Sequence, residues 1–319
     1  MCHQNSQRLE AVAKKRSENR TQLCHNPGGG LSTGIPVQSK KISTKRCEIT
    51  RLANKVAIVT GAGTRSANVA GVGVATAKVF ASHGAKVLIV DMDETAAQTT
   101  QEAITATGGI ASLFIADVAQ EAGCKALVKA AIERYGKLDI LMNSVGIGGI
   151  GMVTDVTEEH WNRVLDVDLK SAVFISKYAV PEMINNGGGS IINVSSVDGI
   201  RAAMTKNIPY AAAKGGMITV TKAMAVHHGR DNIRVNCIAP GLLYTSMTEA
   251  VDDRKRQLRR DLAPLGTEGE ANDIAMAATF LASDESRWIT GVLLPVDAGL
   301  MAAGPQSLLN NIIDDYEYV

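Results

Sequence analysis

From Lys55 onward the chain alternates short, β-branched apolar runs with longer stretches in which apolar positions recur at helical spacing. The apolar runs are Val56–Thr60, Lys86–Asp91, Ser112–Asp117, Asp139–Asn143, Ser190–Val194, Arg234–Ile238 and Leu293–Val296. Runs that are apolar at successive positions suit strands covered on both faces. Between them lie Val72–Ser82, Glu94–Ala106, Lys125–Tyr135, a long stretch from Glu158 to Asn185, Ala211–His227 and Asn272–Ala282, rich in the helix formers Ala, Lys, Glu and Met. This alternation predicts an α/β fold, a doubly wound parallel sheet of about seven strands with helices on both faces, in a single domain over residues 51–303. Ligands of such sheets bind beyond the carboxyl ends of the strands, so the chemistry is expected just after each strand.

The flanks break the pattern. Residues 1–50 have no helical or strand periodicity, carry Lys14, Lys15, Arg16, Lys40, Lys41, Lys45 and Arg46, and include Gly28-Gly29-Gly30, which predicts a disordered extension. It is basic like an organellar transit peptide but lacks an amphipathic arginine face, so a cytoplasmic protein is expected ahead of an imported one. Residues 304–319 are expected to be an acidic tail. Ser246 to Leu265, with Arg254, Lys255, Arg256, Arg259 and Arg260, is expected to form a charged helix or lid.

Composition narrows the function classes. The 319 residues are 45% hydrophobic and carry a formal net charge of +1, enough apolar content for a full core and no field to attract nucleic acid or an anionic membrane. The apolar runs are too short to cross a bilayer. Five cysteines (Cys2, Cys24, Cys47, Cys124 and Cys237) lack paired spacing, which argues against a disulfide framework or a zinc site; no metal is expected. A small, roughly neutral partner fits best.

The first strand runs into Thr60-Gly61-Ala62-Gly63 and then Gly71-Val72-Gly73 at the start of a helix. Glycines there let backbone N–H groups approach a pyrophosphate at the positive helix end. The second strand ends at Asp91, about twenty residues on, where an acid can bind the adenosine ribose hydroxyls and repel the extra phosphate of NADP. NAD is therefore favoured over NADP, although Arg65, in the turn, could meet that phosphate. Asp93 is read as a helix N-cap.

The fifth strand ends in Asn193-Val194-Ser195-Ser196, and Tyr210 and Lys214 stand one turn apart at the head of the next helix. A phenol is a poor base at neutral pH, its reference pKa being about 10. A neighbouring ammonium stabilises the phenolate, so Tyr210 could pass the proton of a reacting hydroxyl while a serine holds the substrate oxygen. Taken alone, Tyr and Lys at this spacing occur in many helices by chance.

Together these residues closely resemble the short-chain dehydrogenase/reductase family over about Leu52 to Ala302, with a Rossmann-type fold. Its hallmarks appear in order: the glycine turn, Asp91, Asp117-Val118, Asn143-Ser144-Val145-Gly146, Ser196, Tyr210, Lys214, Ile233-Arg234-Val235-Asn236, Pro240-Gly241 and Thr245. The resemblance implies that Tyr210 is the acid/base and that Lys214 binds the nicotinamide ribose and tunes the tyrosine. It further implies that Ser196 orients the substrate, and that Thr245 contacts the carboxamide. The cofactor-binding set it implies is Gly61, Gly71, Gly73, Asp91, Asp117, Val118, Asn143, Gly146, Tyr210, Lys214, Pro240 and Thr245. It implies NAD-dependent hydride transfer to or from a secondary alcohol or ketone, by a homotetramer or homodimer.

Four departures stand out. Ala62 to Ala70 separate Gly61 from Gly71, where the family has three residues. Asn143-Ser144-Val145-Gly146 replaces Asn-Asn-Ala-Gly. Asp168 replaces the asparagine that usually supports a water-linked proton relay to the active-site lysine; an ionised carboxylate accepts hydrogen bonds but cannot donate them. The segment from Ser196 to Tyr210 is one residue longer, which leaves Ser195 as an alternative to Ser196. The enlarged glycine loop and Asp168 also keep open a catalytically impaired dinucleotide-binding or interaction protein. A methyltransferase on a similar sheet would leave Tyr210 and Lys214 unexplained. Met152, Met204, Met217 and Met247 are candidates for an apolar substrate pocket or for ordinary packing.

Overall fold

The structure, a computed structural model, describes residues 50–202 and 205–304. The basic extension, the acidic tail from residue 305 and Met204 lie outside these residues.

Seven strands form one parallel sheet: β1 (Val56–Thr60), β2 (Lys86–Asp91), β3 (Ile110–Ile115), β4 (Ile140–Asn143), β5 (Gly189–Val194), β6 (Ile233–Pro240) and, after a two-residue pair β7 (Leu243–Tyr244) and β8 (Gly269–Glu270), β9 (Leu293–Val296). Their order is β3-β2-β1-β4-β5-β6-β9. The order reverses between β1 and β4, where Val59 pairs with Ile89 on one side and Met142 on the other. That reversal opens a crevice at the carboxyl ends, since the connections of β1 and β4 leave in opposite directions.

The helices are α1 (Val72–Ser82), α2 (Glu94–Thr105), α3 (Glu121–Tyr135), α4 (Glu158–Leu165), α5 (Ser171–Asn185), α6 (Ile208–His228), α7 (Asp253–Asp261) and α8 (Ala271–Ala282). The stretch expected to be one helix from Glu158 to Asn185 is divided by a wide turn at Asp166–Lys170, where the Ser171 N–H donates to the Asp166 carbonyl. Such i→i+5 turns insert one residue into a helix and favour functional sites.

Strand alternation divides the core into two layers. Ala57, Val59, Val87 and Ile89 face Ala77 and Phe80 of α1 and Ile274, Ala278 and Leu281 of α8. Ile58, Leu88, Val90 and Leu141 face Leu127, Val128 and Ala131 of α3 and Ile175 and Ala179 of α5. All five residues of β1 are buried, as the continuous apolar run implied. No helix among the described residues is long and apolar enough to cross a membrane.

Candidate active site

The glycine turn forms as a close contact between strand and helix. Gly61 has φ +63°, and a Cβ there would lie 3.0 Å from the Val145 Cα. A Cβ on Gly73 would lie 2.3 Å from the Gly61 carbonyl oxygen, so no side chain fits between β1 and α1. Gly71 is the N-cap of α1 and supplies no side-chain cap. The first N–H groups of that helix therefore form a seat for an anion such as a dinucleotide pyrophosphate, and the bare backbone fits that group.

The enlarged loop is held at both ends. The Thr64 N–H donates to the Ala96 carbonyl at 2.9 Å, the Ser66 Oγ accepts from the N–H groups of Asn68 and Val69, and the Asn68 Nδ2 reaches Glu249 Oε1 at 3.4 Å. It thus spans from α2 to the segment after β7.

Asp91 ends β2 and is 4% exposed. Its Oδ2 accepts from the Gly63 N–H at 2.8 Å, and its Oδ1 accepts from Arg65 Nη2 at 2.5 Å and from the Asp93 N–H at 3.1 Å. Arg65 therefore lies across Asp91, with its Nη1 3.5 Å from Asp93 Oδ2. Asp93 caps α2 by accepting from the Ala96 N–H, as its position predicts. Asp117 accepts from the Ala119 N–H and lies 3.5 Å from Arg163, while Val118 beside it is buried.

On the other side of the crevice, Tyr210 and Lys214 share a face of α6. The Lys214 Nζ lies 5.5 Å from the centre of the Tyr210 ring, donates to the Val194 carbonyl at 3.2 Å and stands 3.3 Å from Asp168 Oδ2. Ser195 is 2% exposed, and its hydroxyl donates to the Lys214 carbonyl at 2.7 Å. The Ser196 Oγ accepts from the Asp198 N–H at 3.1 Å, which leaves its own hydrogen uncommitted. Gly149 passes against Tyr210, where an added Cβ would lie 2.7 Å from the Tyr210 nitrogen.

Asp168 sits on the wide turn, fully buried, with Oδ1 accepting from the Ile147 N–H at 2.8 Å. Its Oδ2 makes the ion-pair approach to Lys214 but no aligned hydrogen bond. Burial raises the Asp168 carboxyl above the usual range, only partly countered by Lys214 and the Ile147 N–H. Burial also pulls Lys214 toward its neutral form, yet the charges of Asp168 and Tyr210 outweigh it and leave the ammonium above its ordinary value.

Asn143, at the end of β4, donates through Nδ2 to Asn193 Oδ1 at 2.8 Å, and its own Oδ1 is buried without a hydrogen-bond partner. The Ser144 hydroxyl donates to the Thr60 carbonyl, tying the β4 end to β1. A Cβ on Gly146 would lie 3.1 Å from Asp168 Oδ2 and 3.2 Å from Lys214 Nζ. Pro240 closes β6, and Thr245 is buried beyond it.

The charged segment after β7 folds as α7 and is more than a solvated surface helix. Glu268, whose side chain is 4% exposed, accepts from Arg256 Nε at 2.9 Å. Its other oxygen lies 2.9 Å from Arg259 Nε, and Arg260 Nη1 comes to 3.9 Å of the oxygen that Arg256 holds. The Arg256 guanidinium also stacks 3.6 Å above the Tyr244 ring. Nothing in the sequence pattern singled out Glu268, one of several acids that follow the run of arginines. Of the methionine candidates, Met217 is core, packed with Ala172 and Cys237, whereas Met152 and Met247 are exposed.

The family described as Enoyl-(Acyl carrier protein) reductase matches residues 66–301. An uncharacterized oxidoreductase of Bacillus subtilis is 40% identical over 79% of this chain and 93% of its own length. A 3-oxoacyl-acyl-carrier-protein reductase of Chlamydia muridarum is 39% identical over 78% of this chain and 98% of its own. A solved Burkholderia xenovorans chain, assigned to the short-chain dehydrogenases/reductases, superposes with a TM-score of 0.76 at 40% identity, covering 80% of this chain and 99% of that one.

Proposed function

Because the chain belongs to the short-chain dehydrogenase/reductase family, an oxidoreductase family, we propose that it moves a hydride between NAD(H) and a secondary alcohol or ketone, with Tyr210 as acid/base. The observation that carries this reading is the buried Lys214 ammonium, 5.5 Å from the Tyr210 ring on one helix face at the carboxyl ends of β4 and β5. When bound, NADH would supply the hydride. Gly61, Gly71 and Gly73 would hold its pyrophosphate, Asp91 and Asp117-Val118 the adenosine, and Asn143, Gly146, Lys214, Pro240 and Thr245 the nicotinamide half.

The chain's own groups then do the proton work. In the reducing direction the substrate carbonyl carbon gains the hydride and its two electrons, the C=O π pair moves onto oxygen, and that oxygen takes the Tyr210 proton. Tyr210 is left as phenolate beside the Lys214 ammonium and regains a proton from solvent; oxidation runs the same exchanges backward. Ser196 donates its uncommitted hydroxyl hydrogen to the substrate oxygen. Ser195 is the poorer candidate, since its hydroxyl already donates to the Lys214 carbonyl. Assembly as a dimer or tetramer belongs to the same reading, and would cover apolar surface such as Trp288, which is 91% exposed.

A panel of ketones and secondary alcohols, followed by cofactor absorbance with NAD(H) and NADP(H) in both directions, tests this. Turnover with a member of the panel is expected, faster with NAD. Dinucleotide binding with no turnover across the panel would favour a catalytically impaired binding protein instead.

The coenzyme choice has its own test. Arg65 is held chiefly by Asp91, so Asp91→Ala removes the ribose acceptor and leaves the guanidinium only its longer, 3.5 Å approach to Asp93, more open to a 2′-phosphate. A charge-assisted hydrogen bond contributes about 1.5–3 kcal/mol, so the NADP/NAD ratio of kcat/KM is expected to rise by about tenfold or more. An unchanged ratio would show that these two side chains do not set the preference.

A further inference from the structure

We propose that Asp168 is a positioning residue that fixes the Lys214 ammonium by direct ion pairing and biases Tyr210 toward its protonated form. The site then serves as a proton-donating, carbonyl-reducing centre through neutral pH and takes up alcohol oxidation under more alkaline conditions. The inference rests on the acid/base role proposed for Tyr210.

The geometry carries it. Asp168 Oδ2 lies 3.3 Å from Lys214 Nζ, with the two side chains 0% and 4% exposed. The wide turn brings Asp168 inward, the Ile147 N–H anchors its Oδ1, and Gly146 lies so close that a Cβ there would crowd carboxylate and ammonium alike, at 3.1 and 3.2 Å. A neutral side chain at this position would leave phenolate and ammonium to cancel. With the carboxylate present, the phenol state of the three groups is neutral and the phenolate state carries one net negative charge. Reduction draws one proton from Tyr210 for each hydride delivered, so it uses the favoured state; oxidation needs the disfavoured one.

The other charged groups nearby do not cancel this effect. Asp166 and Lys170 on the same turn pair with each other at 2.7 Å. On β6, burial pushes the Cys237 thiol up to about 11, so it stays neutral. After β5, Asp198 is held by Asn207 Nδ2 at 2.7 Å. Helix α4, which packs on α6, brings the exposed Glu158 and Glu159, the half-buried His160, and Arg163, which pairs with Asp117 at 3.5 Å. Among the described residues, Asp168 is the carboxylate in ion-pair contact with Lys214. Asp168 Oδ2 reaches the Tyr210 ring through a Lys214 Nζ that lies 3.3 Å from the one and 5.5 Å from the centre of the other; a unit charge at a separation of that order, at an effective dielectric near 20, corresponds to a shift of about one pH unit or somewhat more.

The test reads the phenol itself. Tyrosinate absorbance of the full chain is titrated without coenzyme and differenced against Tyr210→Phe, then repeated in the Asp168→Asn background. The Tyr210 transition is expected about one pH unit lower in Asp168→Asn. The acid limb of the NAD-linked oxidation rate, with the best alcohol of the panel, is expected to move with it. Asp168→Ser, also neutral, gives the same shift if the asparagine variant folds poorly. Coincident transitions with and without the carboxylate overturn the inference and leave the role of Tyr210 standing. A Tyr210→Phe chain that turns over at the wild-type rate overturns both.

Discussion

Tyr210→Phe is expected to lower kcat about 10²–10⁴-fold, the contribution usual for a positioned acid/base, while the dissociation constant for NADH changes little. The two halves of this expectation come from different parts of the site. The phenol is the proposed proton carrier, whereas the coenzyme is proposed to be held by the glycine turn, Asp91 and the Lys214 ammonium. Phenylalanine keeps the ring, and Lys214 retains Asp168 and the Val194 carbonyl as partners. Single-turnover hydride transfer together with a coenzyme titration checks both. A rate near wild type would remove the phenol from the chemistry, and a large loss of coenzyme affinity would mean that it organises the cleft instead.

A second large effect is expected from one methyl group. Gly73→Ala places a Cβ 2.3 Å from the Gly61 oxygen and 2.9 Å from the Ser144 hydroxyl oxygen. All three residues belong to well-packed parts of the turn, so α1 must back away from β1. Overpacking of this kind costs about 1–3 kcal/mol. The displaced helix end should also weaken coenzyme binding by roughly tenfold, about 1.4 kcal/mol. Denaturant midpoints and NADH titration measure the two separately. A variant with unchanged stability and affinity would show that the turn accepts a side chain and has no need of such a close approach.

The sheet was legible in the sequence because a strand buried on both faces must be apolar at consecutive positions. β1, β2 and β9 fall where the runs put them. β3 lies two residues earlier than expected, since Ala116 and Asp117 already belong to the turn, where the Asp117 carboxylate accepts from the Ala119 N–H. The third helix starts at Glu121 rather than Lys125. Gly123 lies in its first turn, where a Cβ would come within 2.7 Å of the Asp117 carbonyl oxygen.

The site was legible in part. Tyr210 and Lys214 share a face through helical spacing alone, and the glycines announce the turn. Composition could not reveal that Arg65 lies on Asp91, since both the ribose-binding and phosphate-binding roles read alike in one dimension. Nor could it reveal that Glu268 gathers Arg256 and Arg259, because that contact depends on the path of the chain around α7. The direct Asp168 to Lys214 pair was hidden for a different reason: it depends on a backbone irregularity that side-chain periodicity does not encode.

That irregularity between Asp166 and Lys170 sets stability against activity. Deleting one of its five residues would let α4 and α5 merge into a straighter, more regular rod, the sort of tidying that often strengthens a fold. The same deletion would remove the widened turn that carries Asp168 inward, taking the buried acid off its amine. An engineer seeking a hardier protein here would be rewarded with heat tolerance and left with a cleft whose proton chemistry had come apart.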